Sequence, residues 1–263
     1  MGKPGNRIGN QVEARLWATD SLVRVSSCFL ILILCVLLVW GCGYRCFVGK
    51  LEPMPRAKQI AETRILDDGT VVYAKDRLEI GLRPLGDEEL NRQFPEASSS
   101  GLLSANPYTY ANWKPAGKKS TPQRFTVFLL KAKNYAYPKV RVDPLKMLIV
   151  AENGRKYFPL SFEQLKEYYV KYVIGYGGNA YELYERRKDI LRKTLYPNDP
   201  EHQVIFSGQE QKGYVVFPKL DDDVHQVSVY LKGIVLRFDS WNRPVETLDL
   251  VFRFERKEIE KKR

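Results

Sequence analysis

The residues able to do chemistry in this chain are few and scattered. Its two histidines, His202 and His225, have no partner at ligand spacing such as His-x-x-x-His, so a zinc site would need carboxylates gathered from elsewhere. Asp221, Asp222 and Asp223 group carboxylates of the kind that attract hard cations, but without the alternation or the distal Glu of a calcium loop. A solvated turn between strands accounts for them better. Ser207 and Ser240 do not sit in a Gly-x-Ser-x-Gly elbow. The glycines from Gly175 to Gly178 are not a phosphate loop, because no Gly-Lys-Ser/Thr follows and no strand precedes them; they read as a flexible joint. The expectation is a domain with no catalytic residue, no metal and no cofactor.

Binding chemistry is better represented. Tyr168, Tyr169, Tyr172, Tyr176, Tyr181 and Tyr184 crowd one stretch, beside Arg186, Arg187 and Lys188. Tyrosine joins a large contact face to a hydroxyl, so such a cluster suits a protein or glycan partner. The plainer account is that half of them pack on a sheet and the rest flank it. Glu182 lies four residues before Arg186 and helps to neutralise that face.

All four cysteines, Cys28, Cys35, Cys42 and Cys46, lie in or beside one apolar run, and none follows. Residues 25–44 are 20 in a row without a charge. As a helix at ~1.5 Å per residue they span ~30 Å, the thickness of a bilayer's hydrocarbon core. Two readings stay open. In one, the run is an uncleaved membrane helix with Trp40 and Tyr44 at the interface. In the other it is the apolar part of a signal peptide. There Val39-Trp40-Gly41-Cys42 resembles the cleavage box of bacterial lipoproteins, which implies Cys42 as the lipidated residue. Either way the chain is tied to a membrane, with its carboxyl-terminal domain outside the cytoplasm.

The chain has 263 residues and a net charge of +11. Six Lys/Arg against two Asp/Glu fall in the first 50 residues, and 36 against 29 thereafter. Charges of both signs interleave throughout the later part, so no nucleic-acid surface is expected. At 44% hydrophobic residues the composition is that of a folded protein rather than a disordered one.

These features need a scaffold, and the scaffold reads as β. After a basic segment (1–24), the apolar run and a proline-bearing linker (45–62), strand signals fill residues 63–255. Asp68-Gly69 and Asn153-Gly154 have hairpin composition. Leu78, Ile80 and Leu82 alternate with polar neighbours, as in a half-buried strand, whereas Phe125 to Lys131 is apolar on both faces. Residues 87–123, rich in Ser, Pro, Gly and Asn, read as a long loop; Tyr108, Tyr110 and Trp113 argue that part of it packs. Two helices interrupt the strands over 161–196, the first opened by a Ser161/Gln164 capping box. Strands return at 203–206, 214–217, 226–231, 234–237 and 245–254, and a charged tail (256–263) closes the chain.

Many short strands with regular turns predict an antiparallel β-sandwich carrying a two-helix insertion. The stretches from Phe125 through Ser161, and from Lys212 through Glu255, resemble the immunoglobulin-like modules of uncharacterised bacterial lipoproteins and exported envelope proteins. That resemblance covers about half the chain. It implies a non-catalytic, membrane-anchored envelope domain that binds or supports another envelope protein or a glycan. A hydrolase or glycan-modifying enzyme, with a carboxylate pair brought together only by folding, is the alternative.

Overall fold

The computed structural model describes residues 47–258, apart from 100, 119, 177 and 178. The apolar run, the cysteines and the charged tail therefore lie outside the described residues or at their margin. Among the described residues, no helix is long and apolar enough to cross a membrane.

The domain is mainly β, built from two antiparallel sheets. The first holds seven strands: β1 (Phe47–Pro53), β6 (Lys139–Arg141), β7 (Met147–Ala151), β8 (Lys156–Tyr157), β9 (Val204–Phe206), β11 (Gln226–Phe238) and β12 (Pro244–Glu258). Its order is β1-β12-β11-β6-β9, with β7 beside the first half of β11 and β8 beside β7. The second sheet runs β10-β5-β4-β3-β2, from β2 (Thr63–Ile65), β3 (Val71–Lys75), β4 (Leu78–Leu85), β5 (Phe125–Asn134) and β10 (Glu210–Pro218).

One apolar core lies between the sheets. Ile80, Leu82, Phe128, Leu130 and Phe217 face it from the five-stranded sheet, and Ile149, Val229, Leu231, Phe252 and Phe254 from the seven-stranded one. The Phe128 and Phe254 rings meet across it, with centroids 5.4 Å apart. Alternation in β12 explains its half of the core, because successive side chains of a strand point to opposite faces. Leu250, Phe252 and Phe254 are buried there, while Val251, Arg253 and Glu255 are only half-buried.

Over residues 125–129 β5 has no such polar face, and a second core shows why; Lys131 and Lys133 take that face farther along. Phe125, Val127 and Leu129 point to the outer side of the five-stranded sheet, together with Val216 and Tyr214 of β10. Three helices meet them there: α1 (Asp87–Gln93), α2 (Phe162–Tyr176) and α3 (Asn179–Thr194). Leu90 of α1, Leu165 and Tyr169 of α2 and Leu191 of α3 complete this core. Both faces of β5 are thus covered over residues 125–129, and a strand buried on both faces is apolar on both.

The hairpins follow the turn chemistry. Gly69 and Gly154 take φ of +83°, a conformation open to glycine, and Asp68 Oδ1 accepts the Thr70 amide at 2.9 Å. Two features differ from the sequence expectation. The strands expected at 226–231 and 234–237 are one strand, β11, with a register shift between Leu231 and Ile234. Lys232-Gly233 is a bulge there, held by the Gly233 amide on Asp249 Oδ1 at 2.7 Å. The expected loop at 87–123 opens with α1, whose first turn carries Asp87, Glu88 and Glu89.

Candidate functional site

The tyrosine-rich insertion divides into an inner and an outer half. α2 is capped as its sequence demands: the Gln164 amide donates to Ser161 Oγ at 3.2 Å, and the Ser161 amide to Gln164 Oε1 at 2.9 Å. That fixes the helix phase, which drives Leu165 and Tyr169, four residues apart, onto the sheet.

Tyr169 is fully enclosed. Its hydroxyl donates to the Pro107 carbonyl, and Nη1 of Arg124 donates to that hydroxyl at 3.3 Å. The Arg187 guanidinium lies 4.9 Å from the ring centroid and that of Arg124 5.6 Å. Both arginines are buried. Arg187 donates through Nε and Nη2 to the Ser104 carbonyl, at 3.1 and 2.7 Å. Arg124 lies 4.0 Å over the Tyr110 ring and donates to the Asn106 carbonyl at 3.4 Å. A buried guanidinium is costly unless its donors are met, and the Ser104 and Asn106 carbonyls meet several of them. In return these carbonyls are satisfied without regular secondary structure. The Tyr108 and Thr194 hydroxyls share a 2.5 Å hydrogen bond; Thr194 already donates to the Ile190 carbonyl, so Tyr108 is the donor. Burial drives the Tyr108 and Tyr169 hydroxyls well above the ordinary phenol range, and both stay protonated. The nearby Asp87 carboxyl is pushed up to about 6 by burial, which outweighs the opposing pull of Arg124.

The outer half faces solvent. Tyr181 is 60% exposed, and its ring centroid is 6.3 Å from that of half-buried Tyr184. Lys188 Nζ lies 5.5 Å from the Tyr184 ring and is ion-paired with Glu185. Arg186 is exposed. Tyr168 is half-buried, its ring against Phe125 and Tyr169 at 5.2 and 5.0 Å. The side chains of Tyr172 and Tyr176 lie outside the described residues, as does Cys42. Of the nine residues expected to offer a contact surface, Tyr169 and Arg187 therefore belong to the interior instead. Their helical faces point at the sheet, and an isolated sequence does not announce that Ser104 will be waiting for the guanidinium.

The other sequence candidates resolve into structural roles. Arg155 Nη1 bridges Asp221 Oδ2 and Asp223 Oδ1 at 2.9 and 2.7 Å, and Lys219 pairs with Asp222 at 2.8 Å. Beneath that loop, buried Arg256 donates from Nε to the Val224 carbonyl at 2.9 Å. Each of the three aspartates is thus paired with a neighbouring cation, Arg155 serving two of them. His202 Nδ1 is 2.6 Å from Asp199 Oδ1, a hydrogen bond that raises the imidazole pKa. The His225 amide donates to Glu152 Oε1 at 2.8 Å. Among the described residues, no three His, Cys, Asp or Glu side chains gather as metal ligands would.

A third group of exposed residues escaped the sequence reading. Trp241 is 78% exposed at the β11–β12 turn, Phe206 54% at the end of β9, and Tyr135 50% just past β5. A tryptophan beside Asn, Arg and Pro in "SWNRP" was the available signal, since an indole in turn composition has no strand face on which to be buried.

No protein-family model matches this chain, and no curated protein does. Among solved structures, the chain is similar to a functionally unknown protein from Listeria monocytogenes EGD-e, at 10% identity and a TM-score of 0.29, over 81% of this chain and 90% of that one. A likeness of that size carries no inference about fold or activity.

Proposed function

We propose that this chain is a membrane-tethered protein of the cell envelope, of the exported lipoprotein kind, whose two sheets form an immunoglobulin-like sandwich outside the cytoplasm. It works by binding or bracing another envelope protein or a glycan rather than by turnover. One observation carries the reading: the helices that bury Tyr169 and Arg187 set Tyr181 and Arg186 outward on the same elements, with half-buried Tyr184 beside Tyr181. Rigid aromatic side chains beside cations are what a contact surface requires, because little conformational freedom is lost on binding. The uncharged run at 25–44 supports the tether, and the absence of cysteine after Cys46 suits a domain that folds without disulfides in any compartment. Among the described residues the hydrolase alternative is served by one raised carboxyl, Asp87, whose charged neighbour is Arg124.

Two measurements test this. Intact mass of the membrane-extracted chain is expected to show either loss of residues 1–41 with acyl chains added at Cys42, or the full-length mass. A full-length product soluble without detergent refutes the tether. A photoreactive side chain at position 181 is expected to give one discrete adduct in intact cells, with none from the same probe at Leu145. Equal labelling at both positions, or none at 181, removes the helix face from consideration.

A further inference from the structure

Four loops meet at one end of the two sheets: β3–β4, β5–β6, β9–β10 and β11–β12. Hydrogen bonds join three of them, from the Tyr135 amide to the Arg77 carbonyl at 2.8 Å and from the Ser207 amide to the Pro138 carbonyl at 3.4 Å. Lys139 brings in the fourth, donating from Nζ to Asn242 Oδ1 at 2.6 Å while its partner across the β6–β9 pair is Phe206.

Large apolar side chains are exposed here together: Trp241, Val245, Phe206 and Tyr135. The Trp241 turn is held in shape. Asp239 Oδ1 accepts the amides of Trp241 and Arg243 at 2.9 and 2.8 Å, and its Oδ2 accepts Arg243 Nε at 2.9 Å. Cations ring the aromatics. Lys139 and Arg141 lie 4.6 and 5.5 Å from the Phe238 ring, Lys133 lies 4.7 Å from the Tyr135 ring, and Arg237 and Arg243 flank the turn. The facing acids are Asp239, paired with Arg243; Glu246, 3.7 Å from Arg237; and Glu79, which pairs with Arg64 and accepts from Tyr135. Asp76 and Arg77 of the β3–β4 loop offset each other, as do Lys131 and Glu210, and the remaining cations outnumber the acids, so this end is positive.

Exposed indole and phenol rings among Lys and Arg match the interfacial zone of a bilayer, where amphipathic rings settle at headgroup depth and each cation near an anionic surface adds attraction. We propose that this end of the domain docks on an anionic lipid surface, with Trp241 as the inserted side chain. The chain leads into its amino-terminal residues at the other end: Phe47 pairs with Glu258, while Pro244 pairs with Phe238 beside the turn. β12 has 15 residues between these points, and at ~3.3 Å per residue it is about 45 Å long. If the tether proposed above holds, the same chain makes two membrane contacts, one through the tether and one through the Trp241 end. That consequence rests on the tether; the docking does not.

Full-length chain reconstituted in phosphatidylcholine vesicles is offered a second, fluorescent vesicle population, either phosphatidylcholine alone or with phosphatidylglycerol added. Capture of the anionic population at least tenfold above the neutral one is expected. Trp241→Ala should lower it by tenfold or so, and Lys139→Gln with Arg237→Gln by about fivefold per cation removed, with a flatter salt dependence. Trp241→Phe should keep most of the capture, and unfolding midpoints within a degree or two of the parent show that folding is intact. Equal capture of both vesicle types, indifference to Trp241→Ala, or capture abolished by soluble cell-wall glycan strands overturns the docking. If the chain never enters the first vesicles, the tether fails separately, and sedimentation of the free chain with anionic vesicles then reads the docking directly.

Discussion

β5 and β12 are both long central strands, yet they obey different rules. β5 buries Phe128, Leu130 and Ala132 on one side and Phe125 and Val127 on the other. β12 buries Leu250, Phe252 and Phe254 on one side only, with Val251, Arg253 and Glu255 half-buried on its other face. The difference records how many layers each sheet has against it. Around residues 125–129 the five-stranded sheet is clamped between the main core and the helices, while among the described residues the outer face of the seven-stranded sheet carries no α-helix, only the short 3-10 turn Arg56–Lys58, whose Lys58 carbonyl accepts from Arg253. A strand's second face is therefore a report on a neighbour that sequence alone does not show.

The sharpest test intrudes on the filled inner side of the five-stranded sheet, at the β10 edge, where Gly213 shares the main-core face with Val215 and Phe217. Gly213 of β10 lies directly under the chain as it leaves α3, where Tyr196 donates its amide to the Tyr214 carbonyl at 2.9 Å. A Cβ at 213 would overlap backbone atoms of Leu195 and Tyr196, which cannot rotate away. Gly213→Ala is expected to cost ~3 kcal/mol or more, by the overpacking of a filled core. Val245→Ala, 63% exposed on β12, should stay within ~0.5 kcal/mol of the parent. Urea midpoints measure both; similar values for the two would abolish the distinction between a filled face and an open one.

The next largest effect distinguishes the two sites of buried arginine. Arg187 holds residue 104 from α3, and Arg256 holds residues 221–224 from β12. Arg187→Ala leaves the Ser104 carbonyl short of its donors and removes the cation from Tyr169, at a cost of ~2–4 kcal/mol. Limited proteolysis should then cut between residues 94 and 123, whereas Arg256→Ala should open the 219–225 loop and leave 94–123 intact. Cleavage of the same sites in both variants would mean that the two anchors are not independent.

Which parts were legible follows from the same physics. Local signals fixed local structure: Asp68-Gly69, Asn153-Gly154 and the Ser161/Gln164 cap each form as their composition demands. Alternation assigned the inward residues of β4 and β12, and the unbroken apolar run of β5 already hinted at cover on both sides. The two-antiparallel-sheet, mainly β architecture was within reach for that reason. The two helices were within reach as well, but which of their tyrosines the sheet covers was not, because Tyr169 and Tyr181 are the same residue type on neighbouring helices and the packing of residues 104–124 decides which is buried. Nor was the Trp241 end, where four loops distant in sequence become neighbours only after both sheets close.

The smallest effect sets one carboxyl on the covered side against one on the exposed end, and they titrate with opposite sign. Burial beneath the helix layer raises Asp87 to about 6 from 3.8, so the folded state holds its proton over a range where the unfolded chain has lost it. Stability from this group is fully present below pH ~4 and is lost as the pH rises through about 6. Asp239 is lowered instead, chiefly by the Arg243 amide, so its contribution is present above the ordinary carboxylate range and is lost on acidification. Asp87→Asn, with no charge to bury, should gain ~1–2 kcal/mol over the parent at pH 7, after discounting for partial exposure, and little or nothing at pH 4.5. Asp239→Asn should lose ground at pH 7 and converge with the parent at low pH. Urea midpoints at the two pH values read both differences, and a gain for Asp87→Asn that is the same at pH 4.5 and pH 7 would show that charge burial is not what raises the Asp87 carboxyl.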